Sequence, residues 1–232
     1  MSTPVKKRRP YDATGRRDKA REARTVVLAA ARRLFLEGGY GPTTVAAIAA
    51  EGGVSTETIY KTFGGKAGLV RALADQALAG AGPEHAEVRS DRLSATEGDA
   101  RAILRGWGKL MTEVSPRIAP ILLLIDAAAS TDVEMAALAK AIAAQRLERM
   151  THNARRLVDA GHVREGIDVA HAADVMWTYT SADLYALLVL ERRWSVERYA
   201  TFASEALIAA LLPVERLPPS ARPRTARRKA AR

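Results

Sequence analysis

Cysteine is absent from the 232 residues, which excludes a disulfide framework, a thiolate metal site, an iron–sulfur cluster and a cysteine nucleophile. Long apolar runs are missing too. The longest, Ala206 to Val214, has nine residues and includes Pro213, well short of the ~20 that a membrane span needs. Lys6, Lys7, Arg8 and Arg9 near the start have no apolar stretch after them, so this end does not read as a secretory signal, and a cytoplasmic protein is expected. Aromatic residues are scarce at 5%, and alternating strand patterns do not occur. What remains is 48% hydrophobic and 27% charged, rich in Ala and Leu, the composition of a helical globular protein.

The net charge of +10 is confined to the ends. Residues 1–24 hold nine Lys/Arg against three Asp/Glu, and residues 213–232 hold seven against one, leaving 20 basic and 22 acidic side chains between them. A polyanion partner is therefore sought first at the ends and at any local cluster. Residues 1–20 and 214–232 read as disordered basic segments, because neither carries enough apolar surface to offset ordering. They fit either plain solubility or a salt-sensitive attraction to phosphates.

Between the ends, i, i+3, i+4, i+7 spacing recurs and predicts an all-α protein. A first helix from about Arg21 carries Val27, Ala30, Ala31, Leu34 and Phe35 and stops at Gly38–Gly39. A short second follows Thr44, a third runs from Ser55 to Phe63, and a fourth from Lys66 to about Ala79. Gly80, Gly82 and Pro83, followed by a polar stretch from Glu84 to Arg92, suggest a boundary between domains at 21–80 and 81–213. Beyond it, Ser94 with Glu97 reads as a capping box, Pro116 as a stop, and Pro120 as an interruption of Arg117–Ala129. Thr131 with Glu134, then Asp168, Ser181 and Ser195, read as later helix starts.

Thr44 to Phe63 has the form of a helix-turn-helix. Ser55 can cap the second helix while Val54 and Ile59 staple it, which fixes its direction. At 100° per residue, Ile59 and Phe63 face the core, Glu57 and Lys61 face away, and Thr58 and Tyr60 flank them. Short polar side chains at the start of such a helix allow close approach to base edges, and Lys or Tyr further on reaches phosphates. Taken singly, Thr44 and Ser55 are also plain caps, and Glu57–Lys61 also a surface pair.

Together these residues resemble the N-terminal DNA-binding domain of the TetR family of bacterial regulators. The resemblance rests on ARRLFLEGGYGPTT, on the small-residue second helix, and on Val54-Ser55, Thr58-Ile59-Tyr60, Phe63 and Lys66 at the family's spacing. It implies that Thr44, Tyr60 and Lys66 hold backbone phosphates of double-stranded operator DNA. Ser55, Thr56, Glu57, Thr58 and Lys61 then lie on or beside the base-reading surface. Ala67 replaces an acidic residue usual in the family, and Ala46 a polar one found in some members, which shifts base reading toward the third helix.

The resemblance further implies a C-terminal domain that forms a homodimer and encloses a small-molecule effector of unknown identity, with repression the expected sense. Trp107, Met111, Met176 and Trp177 are candidate pocket residues, since bulky adaptable side chains suit ligands, and they fit ordinary core as well. The stretches 168–191 and 195–212 offer the long apolar faces that a four-helix dimer interface needs. No cofactor is expected. Two other readings are a nonspecific nucleoid-type binder driven by the tails and a small helical enzyme. Against the enzyme, there is no P-loop, G-x-G-x-x-G or G-x-S-x-G motif, and the one metal-like grouping, His162, Asp168 and His171, lacks an H-x-x-x-H spacing.

Overall fold

The computed structural model describes residues 13–80 and 84–214. Among them the fold is all-α, with ten helices and no strand: α1 (Ala13–Gly38), α2 (Val45–Glu51), α3 (Thr56–Phe63), α4 (Lys66–Ala79), α5 (Ala86–Thr96), α6 (Ala100–Ala129), α7 (Val133–Asp159), α8 (Val169–Tyr179), α9 (Ala182–Tyr185) and α10 (Val196–Leu211). A π-helical segment, Ala186–Glu191, extends α9. None of these helices is long and apolar enough to cross a membrane.

The first four helices match the sequence pattern closely because short-range signals specify them. Gly39 and Gly64 end α1 and α3 with φ of +80°, a conformation that costs glycine no side-chain clash. The exception is the start of α1, which lies at Ala13, so helix extends well before Arg21. The basic segments at 1–12 and 215–232 lie outside the described residues.

Four details of the C-terminal half depart from the sequence pattern. The polar stretch after Glu84 is the helix α5, pinned to its neighbours by ion pairs rather than by an apolar stripe. Ser94 lies inside α5, its Oγ donating to Ser90 O at 2.9 Å, and Asp99 is the cap of α6. Neither Pro116 nor Pro120 ends α6. Each removes a backbone hydrogen bond at a cost of about 3 kcal/mol, and burial of Ile118, Ala119, Ile121 and Ile125 around them holds the helix together. Asp132, not Thr131, caps α7, with its Oδ1 accepting from Glu134 N and Met135 N, both at 3.0 Å.

The cores also join across the expected boundary. Ile118, Ile121, Ile125 and Ala128 of α6, with Met135 and Leu138 of α7, pack in one buried cluster with Phe35, Tyr40, Ile48, Ile59 and Leu69. A second cluster unites Ile103, Leu104 and Trp107 of α6 with Ala154, Leu157, Met176, Leu207 and Leu211. There α10 crosses α6 so closely that a Cβ on Gly108 would lie 2.9 Å from Ser204 Cβ.

Candidate nucleic-acid interface

Two caps set the interface. Thr44 Oγ1 accepts from Ala47 N at 3.1 Å at the start of α2, and Ser55 Oγ accepts from Thr58 N at 3.1 Å at the start of α3. Between them Gly53, with φ +65°, makes the turn, and Val54 N returns to Ala49 O at 3.0 Å. Ile59 is fully buried, while Phe63 and Val54 pack partly against the same core. Anchored on that side, α3 presents Thr56, Glu57, Thr58, Tyr60 and Lys61 to solvent. The Ser55 and Thr58 hydroxyls meet at 2.9 Å, so Thr58 projects with one hydrogen-bonding direction already used. Tyr60 is 58% exposed and its ring lies over Gly65, where a Cβ would stand 3.4 Å from Cε1.

Lys66 differs from the rest. It is half-buried at the start of α4, donates from Nζ to Gly41 O at 3.1 Å, and stands 4.1 Å from the centroid of the Tyr40 ring. Burial pushes its ammonium below the usual lysine value, and Asp132 acts in the opposite sense. The loop that receives it is fixed by Thr43, whose hydroxyl donates to Gly39 O at 2.7 Å.

Sequence reasoning passed over three supports of this surface. The Arg24 guanidinium sits 4.7 Å from the Phe63 ring, tying the basic part of α1 to the end of α3. Arg33 bridges α1 to α2 through Glu51, with Nε donating to Oε1 at 2.9 Å. Tyr40, 7% exposed and stacked on Phe35 at 5.8 Å, forms the floor beneath Lys66. The Arg33–Glu37 and Phe35–Tyr40 spacings are local, whereas the Arg24–Phe63, Arg33–Glu51 and Tyr40–Lys66 contacts join residues far apart in the chain.

In the C-terminal half, Trp107 and Met176 share the second core cluster. Met111, one turn along α6, packs partly against Tyr185 and Tyr199. Trp177 is apart from them, 38% exposed, with the Arg146 guanidinium 4.5 Å from its ring centroid. Buried polar atoms of this half without a hydrogen-bond partner include Trp107 Nε1, Arg146 Nε, Asn153 Oδ1 and Tyr199 Oη. Burial pushes the Tyr199 phenol up to about 12 and the Arg146 guanidinium down. Asp168 caps α8 by accepting from His171 N at 2.8 Å. Among the described residues, no three His, Asp or Glu side chains form a group that could hold a metal ion.

Known proteins share these features. Residues 27–73 match the sequence model of the bacterial regulatory proteins of the tetR family. The uncharacterized HTH-type transcriptional regulator YvkB of Bacillus subtilis (strain 168) is 40% identical over 87 residues, which span 38% of this chain and 42% of that protein. The chain thus matches about two fifths of that relative's length. Among solved structures, the SmeT–triclosan complex superposes with a TM-score of 0.64 at 21% identity, covering 84% of this chain and 99% of that one. NalD of Pseudomonas aeruginosa, the secondary repressor of the MexAB-OprM multidrug efflux pump, gives 0.62 at 21% identity, covering 83% and 98%. At these identities the structural likeness is one of fold, that of an N-terminal helix-turn-helix unit followed by a larger helical domain. With the motif, its caps and the matched segment in agreement, residues 27–73 are identified as the helix-turn-helix unit of the bacterial regulatory proteins of the tetR family.

Proposed function

We propose that the protein is a repressor that binds an inverted-repeat operator as a homodimer and is released by a small-molecule effector. The observation that carries this reading is the exposed polar face of α3, held at fixed direction by the Ser55 cap and the buried Ile59. On that face Ser55, Thr56, Glu57, Thr58 and Lys61 read bases, while Thr44, Tyr60 and Lys66 hold phosphates on either side. Dimerisation is supported by Leu187, Leu190 and Phe202, which expose 49%, 46% and 40% of their surface on the π-helical segment and α10.

The effector site is assigned to the C-terminal half, lined by Trp107, Met111 and Met176, with Trp177 at its edge. Partnerless buried atoms support it, because a buried donor such as Trp107 Nε1 gains a hydrogen bond when a ligand supplies an acceptor. The repressive sense and the small-molecule partner draw on similar proteins: SmeT has been solved with triclosan, and NalD is a repressor of an efflux pump. A regulator of this kind acts in the cytoplasm.

Selection of genomic fragments on the full-length protein, followed by footprinting and sedimentation, tests the reading. The expected product is an inverted repeat with half-site centres about 10 bp or a multiple apart, bound by a dimer. Equal affinity for all fragments, or a monomer on one asymmetric site, overturns it.

A further inference from the structure

A cleft opens between α1, α4 and α6. Arg32, Leu73, Gln76, Ala77, Gly80 and Arg117 line a space of about 510 Å³, within the size range of small-molecule sites. None of them belongs to the effector site assigned above. Arg32 is half-buried, and its guanidinium donates from Nη1 to Arg117 O at 3.2 Å. Among the described residues it has no carboxylate partner, so four of its five donors face the cleft without a counter-charge. Arg117 meets a carboxylate only in Glu113, Nη1 to Oε1 at 3.6 Å, and that oxygen already accepts from Arg89 Nη2 at 2.7 Å. The negative charge at Arg117 is therefore shared, and Arg32 has none.

We propose that this cleft binds a small organic acid, its carboxylate between the Arg32 and Arg117 guanidiniums and its apolar body along Leu73 and Ala77. The proposal does not depend on the repressor reading. Guanidinium forks match a planar carboxylate, and hydrogen bonds between charged partners are about twice as strong as neutral ones. Arg32 is held in place by the Arg117 carbonyl before any ligand arrives, so less rotamer freedom is lost on binding. A carboxylate group fills only a small part of the space. Leu73 and Ala77, which are 2% and 5% exposed, offer the rest of the ligand an apolar wall, and each methylene withdrawn from water there adds affinity. The exposed Gln76 amide supplies a further donor at the side of the cleft.

Calorimetric titration of the full-length protein in chloride buffer with sodium hexanoate, hexan-1-ol and sodium phosphate tests this. Hexanoate is expected to bind one per chain. Hexan-1-ol lacks the charge and phosphate lacks the apolar body, and each is expected to bind at least about 10-fold more weakly. Arg32→Gln and Arg117→Gln should each weaken hexanoate by about 10-fold. Arg71→Gln removes the same charge from an exposed position on α4 and should leave binding unchanged. Gln76→Glu, also at an exposed position, keeps the fold and supplies a carboxylate from within, so hexanoate should again bind about 10-fold more weakly. Absence of saturable hexanoate binding overturns the proposal. Hexan-1-ol binding equally well would mark a plain apolar groove, and phosphate binding equally well a simple anion contact; either result overturns it. Parent-like affinity in Arg32→Gln and Arg117→Gln, or in Gln76→Glu, places the acid elsewhere and overturns it too, as does an equal loss in Arg71→Gln.

Discussion

Arg89 and Glu113 meet fork to fork, Nη1 to Oε2 at 2.8 Å and Nη2 to Oε1 at 2.7 Å, directly beneath Gly80. Their side chains are 20% and 23% exposed, so water screens the pair only partly. This fork joins α5 to α6 against the point where α4 ends.

Gly80 is the residue that permits this approach. Its φ is +80°, and an added Cβ would stand 2.7 Å from Arg89 Nη2 and closer still to Glu113 Oε1. Gly80→Ala is expected to lower stability by about 1–3 kcal/mol, combining backbone strain with displacement of the fork. Urea unfolding measures it. An unchanged midpoint would show that α4 does not need this close approach.

Acid sensitivity should arise at a second tie between α5 and α7. Hydrogen bonds from Arg149, at 2.7 and 3.2 Å, hold the Asp91 carboxyl below the usual carboxylate range, helped by charge attraction from Arg149 and His152. A lowered pKa means that the folded state binds the proton more weakly than the unfolded one. The stabilisation is therefore complete above the unfolded value of about 3.9 and is lost as the pH falls through the lower folded value. Asp91→Asn should be less stable than the parent at pH 7, with the difference shrinking below about pH 4. A difference independent of pH from 7 to 3 contradicts this account.

Much of the DNA-binding half was legible in the sequence because it is built from local signals. The Ser55 cap, the Val54–Ile59 staple and the glycines after Phe35 and Phe63 each act within a few residues. The C-terminal half was read less well. Asp99 and Asp132 displaced the caps expected at Ser94 and Thr131, since several capping residues crowd each site and tertiary packing chooses among them. Pro116 and Pro120 looked like breaks because the burial that offsets them comes from other helices. Tyr40 looked like connecting loop, and its role came from Lys66, 26 positions further on.

On α3, Ser55 and Thr58 should behave as a unit. Ser55→Ala removes the cap, worth about 1 kcal/mol, and also frees the Thr58 hydroxyl now held at 2.9 Å. Thr58→Ala and Lys61→Ala are expected to change which operator variants are preferred, whereas Tyr60→Phe weakens binding to all of them alike. Titration against single-base operator variants separates the cases. Unaltered preference in folded Thr58→Ala and Lys61→Ala would remove both from the base-reading surface.

The beginning of α1 supplies the last expectation. Helix runs from Ala13, so Arg17, Lys19 and Arg21 project from an ordered rod, with Arg24 fastened over Phe63 of α3. On the proposed reading, with α3 in a major groove, a rod leading away from the end of α3 can lie along the adjacent phosphate backbone. Arg21 has a competing partner in Asp18 at 3.2 Å, and that pair is 79% and 51% exposed, so phosphate can replace the carboxylate at little cost. Replacing Arg17, Lys19 and Arg21 by Gln keeps helix propensity and removes only charge. Operator affinity should then fall by about 10-fold at moderate salt, and the slope of log affinity against log salt should flatten by about one unit for each phosphate that is no longer neutralised. Sequence preference should be unchanged, as expected of contacts to phosphates alone. Equal slopes for the parent and the triple variant would leave the basic part of α1 without a role at the duplex.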